Sequence, residues 1–146
     1  MKPLICALLI TAAAHTSAAV NPDAVNASMV RDISHQVVTT YRTGWAPAVA
    51  DLLSSCWKIV ETEHSADQAL ICVIYELAAT NWESSRAIAE RRGTYAAFTP
   101  AAIQQRMQTM DAAGIAESEK KSIRELSVKY MDDIIGVQIV RSGQSR

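Results

Sequence analysis

Apolar residues recur every three or four positions along most of this chain, the period of a helix with one buried face. Val25, Met29, Ile33, Val37 and Tyr41 mark a first stripe, opened by Asn21-Pro22-Asp23 and closed by Gly44. Trp45-Ala46-Pro47 opens a second, carried by Val49, Leu52, Leu53, Cys56, Trp57 and Val60. It fades in the polar turn Glu61-Thr62-Glu63-His64. Ser65-Ala66-Asp67-Gln68 has the form of a capping box, in which the serine oxygen and the glutamine side chain satisfy amides left over at a helix start. The helix it starts is apolar on nearly every side through ALICVIYELAA, the mark of a rod inside a bundle. It turns polar towards Arg91 and Arg92, which suit the negative end of a helix dipole, with Gly93 as the stop.

Thr99-Pro100 starts a fourth helix, with Ile103, Met107 and Met110 inward and Gly114 at its close. A fifth runs from about 116 to 140 with Ile123, Leu126, Tyr130, Ile134 and Val137 inward. Gly136 costs it about 1 kcal/mol against alanine. Residues 142–146 read as a disordered tail. No alternating strand, repeat or linker interrupts the pattern. The expected fold is an all-α, single-domain bundle of four to five helices.

The first twenty residues, MKPLICALLITAAAHTSAAV, do not belong to that bundle. A basic start at Lys2, an apolar run from Leu4 to Ala14 and small residues Ser17-Ala18-Ala19 spell a secretory signal peptide. The expected cut falls before Val20, giving a signal peptide over 1–19 and a domain over 20–146. The run is shorter than the roughly 20 residues a spanning helix needs. Cys6 precedes the developed apolar run, so it is not placed as a lipoprotein cysteine.

The chain has 14 basic and 15 acidic side chains, and losing Lys2 leaves 13 against 15, a net charge of −2. That balance draws neither nucleic acid nor an anionic membrane. Export to the periplasm, the localisation read here, places the remaining cysteines where they normally pair. Cys56 and Cys72 are equidistant from His64 across a short turn between antiparallel rods. At about 1.5 Å of rise per residue they climb to the same height on facing stripes. A structural disulfide follows, closing a loop whose constraint contributes roughly 3 kcal/mol. A metal would need two more ligands, and His64, Glu61, Glu63 and Asp67 lie about 10 Å away at the turn. Cys-x-x-Cys, the usual redox spacing, is absent. No metal or cofactor site is read.

Catalytic signatures are missing too: there is no nucleophile elbow, zinc-protease motif or phosphate loop. Glu61-Thr62-Glu63-His64 contains Glu-x-x-His once, at a polar turn, where a di-iron bundle needs it twice and inward. Asp132 and Asp133 diverge by about 100° on a helix and cannot share one substrate atom. His35 sits one step off the apolar stripe, as a boundary residue would. A small secreted helical enzyme of the chorismate-mutase type would need inward cations, for which Lys58, Arg86 and Arg106 are the candidates. The stretch RRGTYAAFTP is more suggestive. It sets Arg91, Arg92, Tyr95 and Phe98 in a connector, and arginine and aromatics are over-represented at binding hot spots. The alternative is that Tyr95 and Phe98 fold back as lids on the core. Trp45 reads as a buried staple on the second helix, and Tyr75 and Trp82 as core neighbours on the third.

The segments LLSSC, ALICVIYELAATNW and AFTPAAIQQRMQTM, spread over residues 52–135, resemble one family. It is that of the small exported helical immunity proteins that neutralise type VI secretion amidase effectors in the periplasm. The family pattern has two cysteines about this far apart, a tyrosine three residues after the second, as Tyr75 follows Cys72, and a Phe-Cys-x-Pro stretch opening the next helix. Here that stretch is Ala97-Phe98-Thr99-Pro100, so its cysteine and a late partner are missing and a second disulfide cannot form. The resemblance implies a non-catalytic protein that occludes the active site of a cell-wall-degrading hydrolase. The residues chosen for that contact, on their chemistry, are Arg91, Arg92, Tyr95 and Phe98, with Glu61, Glu63 and Asp67 second. A periplasmic chaperone or adaptor is the other non-catalytic reading. An uncovered apolar face would also accommodate a second copy of the chain.

Overall fold

The computed structural model describes residues 20–143. The expected signal peptide and residues 144–146 lie outside them. The domain is all-α. In chain order it has α1 (Ala27–Glu63), α2 (Ala66–Glu90), a short 3-10 turn (Ala96–Phe98), α3 (Pro100–Met107), α4 (Thr109–Ala112), α5 (Glu117–Lys129) and α6 (Met131–Gly143).

α1 begins later than Pro22 suggests. Asn21 folds its own turn, its side chain accepting from Asp23 N at 3.0 Å. Asn26 then supplies the cap, accepting from Met29 N at 3.0 Å. The residues before the cap are not loose, because Val20 and Val25 are buried and Asn21 N donates to Asp67 Oδ1 at 2.8 Å.

The expected stop at Gly44 and restart at Pro47 appear as a kink inside one long helix. Trp45 leaves helical geometry at φ 59°, ψ −168°. Gly44 is required there by close approach: a Cβ at this position would lie 2.5 Å from the Cβ of Ala48. Pro47 brings no N–H to the backbone ladder, so the break loses little at that point. α1 ends with His64 in the left-handed region, its N–H on Val60 O at 2.9 Å.

Ser65 caps α2, accepting from Gln68 N at 3.2 Å. The other half of the predicted box does not form. Gln68 Nε2 lies 3.6 Å from the sulfurs of both Cys56 and Cys72 instead. Those cysteines are bonded, with Cα atoms 5.7 Å apart, clipping the α1–α2 hairpin as the spacing predicts. α2 runs through the middle of the molecule, touching α1, α5 and α6. Its Leu70, Cys72, Ile74 and Ala78 are fully buried.

α2 stops at Glu90, with Arg91 rather than Gly93 in the left-handed cap (φ 53°, ψ 40°). Thr99 caps α3 as expected, accepting from Ala102 N at 3.4 Å. The single fifth helix of the sequence pattern is two. The break falls at Tyr130 (φ −96°, ψ 4°), not Gly136, and the Tyr130 hydroxyl donates to Val25 O at 2.7 Å. α6 continues to Gly143, so residues 142 and 143 of the expected tail are helical.

Candidate functional site

Glu83 organises the C-terminal end of α2. Its carboxylate is wholly buried and accepts from Tyr41 Oη at 2.7 Å, Arg92 Nη1 at 2.6 Å and the Tyr95 backbone N–H at 2.9 Å. Arg92 bends back from the connector to make this bridge. It also donates to Glu90 at 2.7 Å and to Tyr41 Oη at 2.8 Å, and its guanidinium lies 4.3 Å over the Tyr95 ring. Burial alone would raise the Glu83 pKa, but the Arg92, Tyr95 and Tyr41 donors outweigh it and hold the carboxyl below its ordinary value. Burial, together with the Glu83 hydrogen bond, pushes the Tyr41 phenol well above its own. A buried charge with these donors is held firmly, whereas removing one partner leaves the rest uncompensated. The network therefore fixes where residues 91–98 lie.

That fixing decides the connector residues one by one. Phe98 is 2 % exposed and packs in the core, the lid alternative rather than a surface contact. Arg92 is engaged with Glu83, Glu90 and Tyr41. Tyr95 keeps 39 % of its surface exposed. Arg91 is exposed, and no ion-pair partner of it occurs among the described residues. Glu61, Glu63 and Asp67 are elsewhere. They flank the α1–α2 turn, where Glu61 pairs with Lys58 at 2.7 Å and Asp67 holds Asn21. The 25 residues of α2 separate that turn from the connector, about 37 Å at 1.5 Å per residue. The two predicted groups do not form one patch.

Trp45 was expected inside and is outside, 58 % exposed. The kink explains the reversal: a residue at φ 59° aims its side chain off the stripe that the helical period assigns to it. Trp45 edges a cleft of about 610 Å³ whose walls include Tyr41, Trp82, Ser85, Arg86 and Ala89. Tyr41 joins this cleft to the Glu83 network. On the far side the cleft shares Trp82 and Ser85 with a smaller one of about 200 Å³, bounded by Ile135 and Ile139 of α6. Trp82 is core as expected, but its indole N–H has no acceptor among the described residues. Tyr75 is half-buried, its hydroxyl donating to Gln36 at 2.5 Å.

The three cations considered for enzyme chemistry do not converge. Lys58 is engaged by Glu61, Arg86 by Glu90, and Arg106 by buried Glu76 at 2.9 Å. Trp57 Nε1 donates to the same Glu76 at 2.9 Å. Lys58 and Arg106 border one cleft and Arg86 another. Asp133 pairs with Arg31 at 2.9 Å, and Arg141 Nε lies 3.2 Å from His35 Nδ1. Among the described residues no cluster of His, Cys, Asp and Glu is arranged to hold a metal, and no helix is long and apolar enough to cross a membrane.

The sequence pattern passes over Glu83 and places Trp45 inside, where the structure has it exposed. Glu83 left one trace: it stands seven after Glu76, which lies in the stretch apolar on nearly every side, and that spacing puts both on one face. Buried carboxylates require donors, and both have arginines. The chain matches no protein-family model, and no curated protein or solved structure is significantly similar to it.

Proposed function

We propose that this chain is a periplasmic, non-catalytic binding protein that blocks a cell-wall-degrading effector, acting as its immunity protein. The partner face is the end of the bundle formed by the α1 kink and the connector, with Trp45, Tyr95 and Arg91 as contacts. One observation carries the reading: a tryptophan held in a backbone conformation natural to glycine, with most of its ring in water. Such strain costs about 1–3 kcal/mol and collects at ligand clamps and active sites. Covering the exposed part of a ring of roughly 250 Å² would return about 3 kcal/mol on association. Tryptophan, tyrosine and arginine are also the residue types that dominate binding energy. The partner class rests on the resemblance of residues 52–135 to amidase immunity proteins. An adaptor for many clients would call for a broad apolar cradle; an open cleft beside one projecting ring favours a single partner.

The test is co-expression with the hydrolase encoded beside this gene. The chain is expected to co-purify with it and to protect cells against it. Trp45→Ala and Tyr95→Ala together are expected to weaken capture at least tenfold with an unchanged circular dichroism spectrum. Failure to capture or protect against that hydrolase, with the disulfide intact, would sink the inhibitor reading.

A further inference from the structure

We propose that the Trp45–Trp82 cleft seats a carboxylate on an apolar stem, an acidic residue beside an aliphatic or aromatic one in the segment the partner inserts. The inference rests on the partner-binding reading and adds the chemistry of the inserted segment. Apolar surface comes from Trp45, Trp82 and Ala89, continued by Ile135 and Ile139 in the adjoining pocket. Among the described residues its fixed charges are arginines, Arg42 and Arg86, with no carboxylate in its walls. Arg42 already donates to the Arg141 carbonyl at 3.0 Å. Arg86 is the more available, because among the described residues only its Nη2 is engaged, by Glu90. Its side chain is 44 % exposed at the cleft edge. A charge-assisted hydrogen bond from guanidinium to carboxylate is about twice as strong as a neutral one, so an acidic residue gains here where an amide or amine would not.

The Trp82 indole supplies the apolar wall. It is 5 % exposed and stands in the wall common to both pockets. Its N–H is sealed from solvent and has no acceptor among the described residues, so the ring, and not the N–H, meets an occupant of the cleft. A cleft of about 610 Å³ holds one or two side chains, not a folded element. The occupant is therefore a short protruding segment.

The experiment is a nuclear magnetic resonance titration of the oxidised, exported chain, following its three indole N–H signals. The probes are acetyl-Leu-Glu-Phe-amide, its Gln and Lys counterparts, and free 4-phenylbutyrate. The Glu peptide is expected to shift Trp45 and Trp82 saturably and to leave Trp57 in place. The Gln peptide should bind at least fivefold more weakly and the Lys peptide should not saturate. Arg86→Gln should bring the Glu peptide down to the Gln level. Ala89→Leu, which fills the cleft without touching a charge, should abolish all saturable shifts. Equal binding by the three peptides, shifts centred away from Trp45 and Trp82, or indifference to both substitutions would overturn the proposal. Tenfold tighter binding of 4-phenylbutyrate than of the Glu peptide would also overturn it, in favour of a free small acid. Hydrolase capture without peptide selectivity would remove this inference and leave the inhibitor reading standing; peptide selectivity without capture would do the reverse.

Discussion

The backbone at Trp45 offers a prediction whose sign is unusual. Inside a helix glycine is ordinarily less stable than alanine by about 1 kcal/mol. At φ 59°, ψ −168° that order inverts. Trp45→Ala and Trp45→Gly lose the same ring and the same contacts, so the difference between them isolates the backbone. Alanine keeps a Cβ in a region that costs about 1–3 kcal/mol for such a residue. Glycine removes that cost but adds about 0.4–1 kcal/mol through its freer unfolded chain. The balance leaves the glycine variant more stable by roughly 1 kcal/mol, a thermal midpoint about 3–5 °C higher in a domain of this size. Urea unfolding followed by far-ultraviolet circular dichroism, with the Cys56–Cys72 bond intact, measures it. Exposed Ser55, in regular helix on the same α1, is the control, where alanine should exceed glycine. If alanine also equals or exceeds glycine at 45, the ring is not held there against strain. Trp45 as a purposeful contact then loses its energetic basis.

Replacing Cys56 and Cys72 together by alanine is expected to lower unfolding free energy by about 3 kcal/mol, read from the urea midpoint; a loss under about 0.5 kcal/mol would contradict a supporting role for the clip. Glu83→Gln should cost about 3 kcal/mol or more at pH 7, since Arg92 and the Tyr41 hydroxyl lose a charged acceptor. Because the folded carboxyl titrates below its ordinary 4.5, its contribution is present above that value and fades as pH falls through the folded pKa. The gap between wild type and Glu83→Gln should thus narrow between pH 5 and pH 3; a constant gap would refute an ionised Glu83. Phe98→Ala should destabilise by about 3–5 kcal/mol yet leave partner capture per folded molecule unchanged. Tyr95→Ala alone should do the opposite, weakening capture while costing about 1 kcal/mol of stability.

What the chain declares by itself is what depends on near neighbours. The helical period, the Ser65 and Thr99 caps and the turn at Gly114 are set by contacts within four residues, so they are readable locally. The Cys56–Cys72 bond belongs with them: a short turn between two antiparallel rods equalises heights, and simple geometry does the rest. Even the kink left its mark, as Gly44 and Pro47 on either side of Trp45.

Tertiary structure decided what those residues face. Trp45 lies on the apolar stripe by counting, yet a single positive φ turns it to solvent. Glu83 reads as one more polar residue in the outer half of its helix until Tyr41, forty-two positions earlier, and Arg92 close over it. The split between α5 and α6 falls at Tyr130, whose hydroxyl is bonded to Val25, 105 positions away. A side chain's burial and partners are set by which segments meet in space, and periodicity along one helix carries no record of the donors arriving from another.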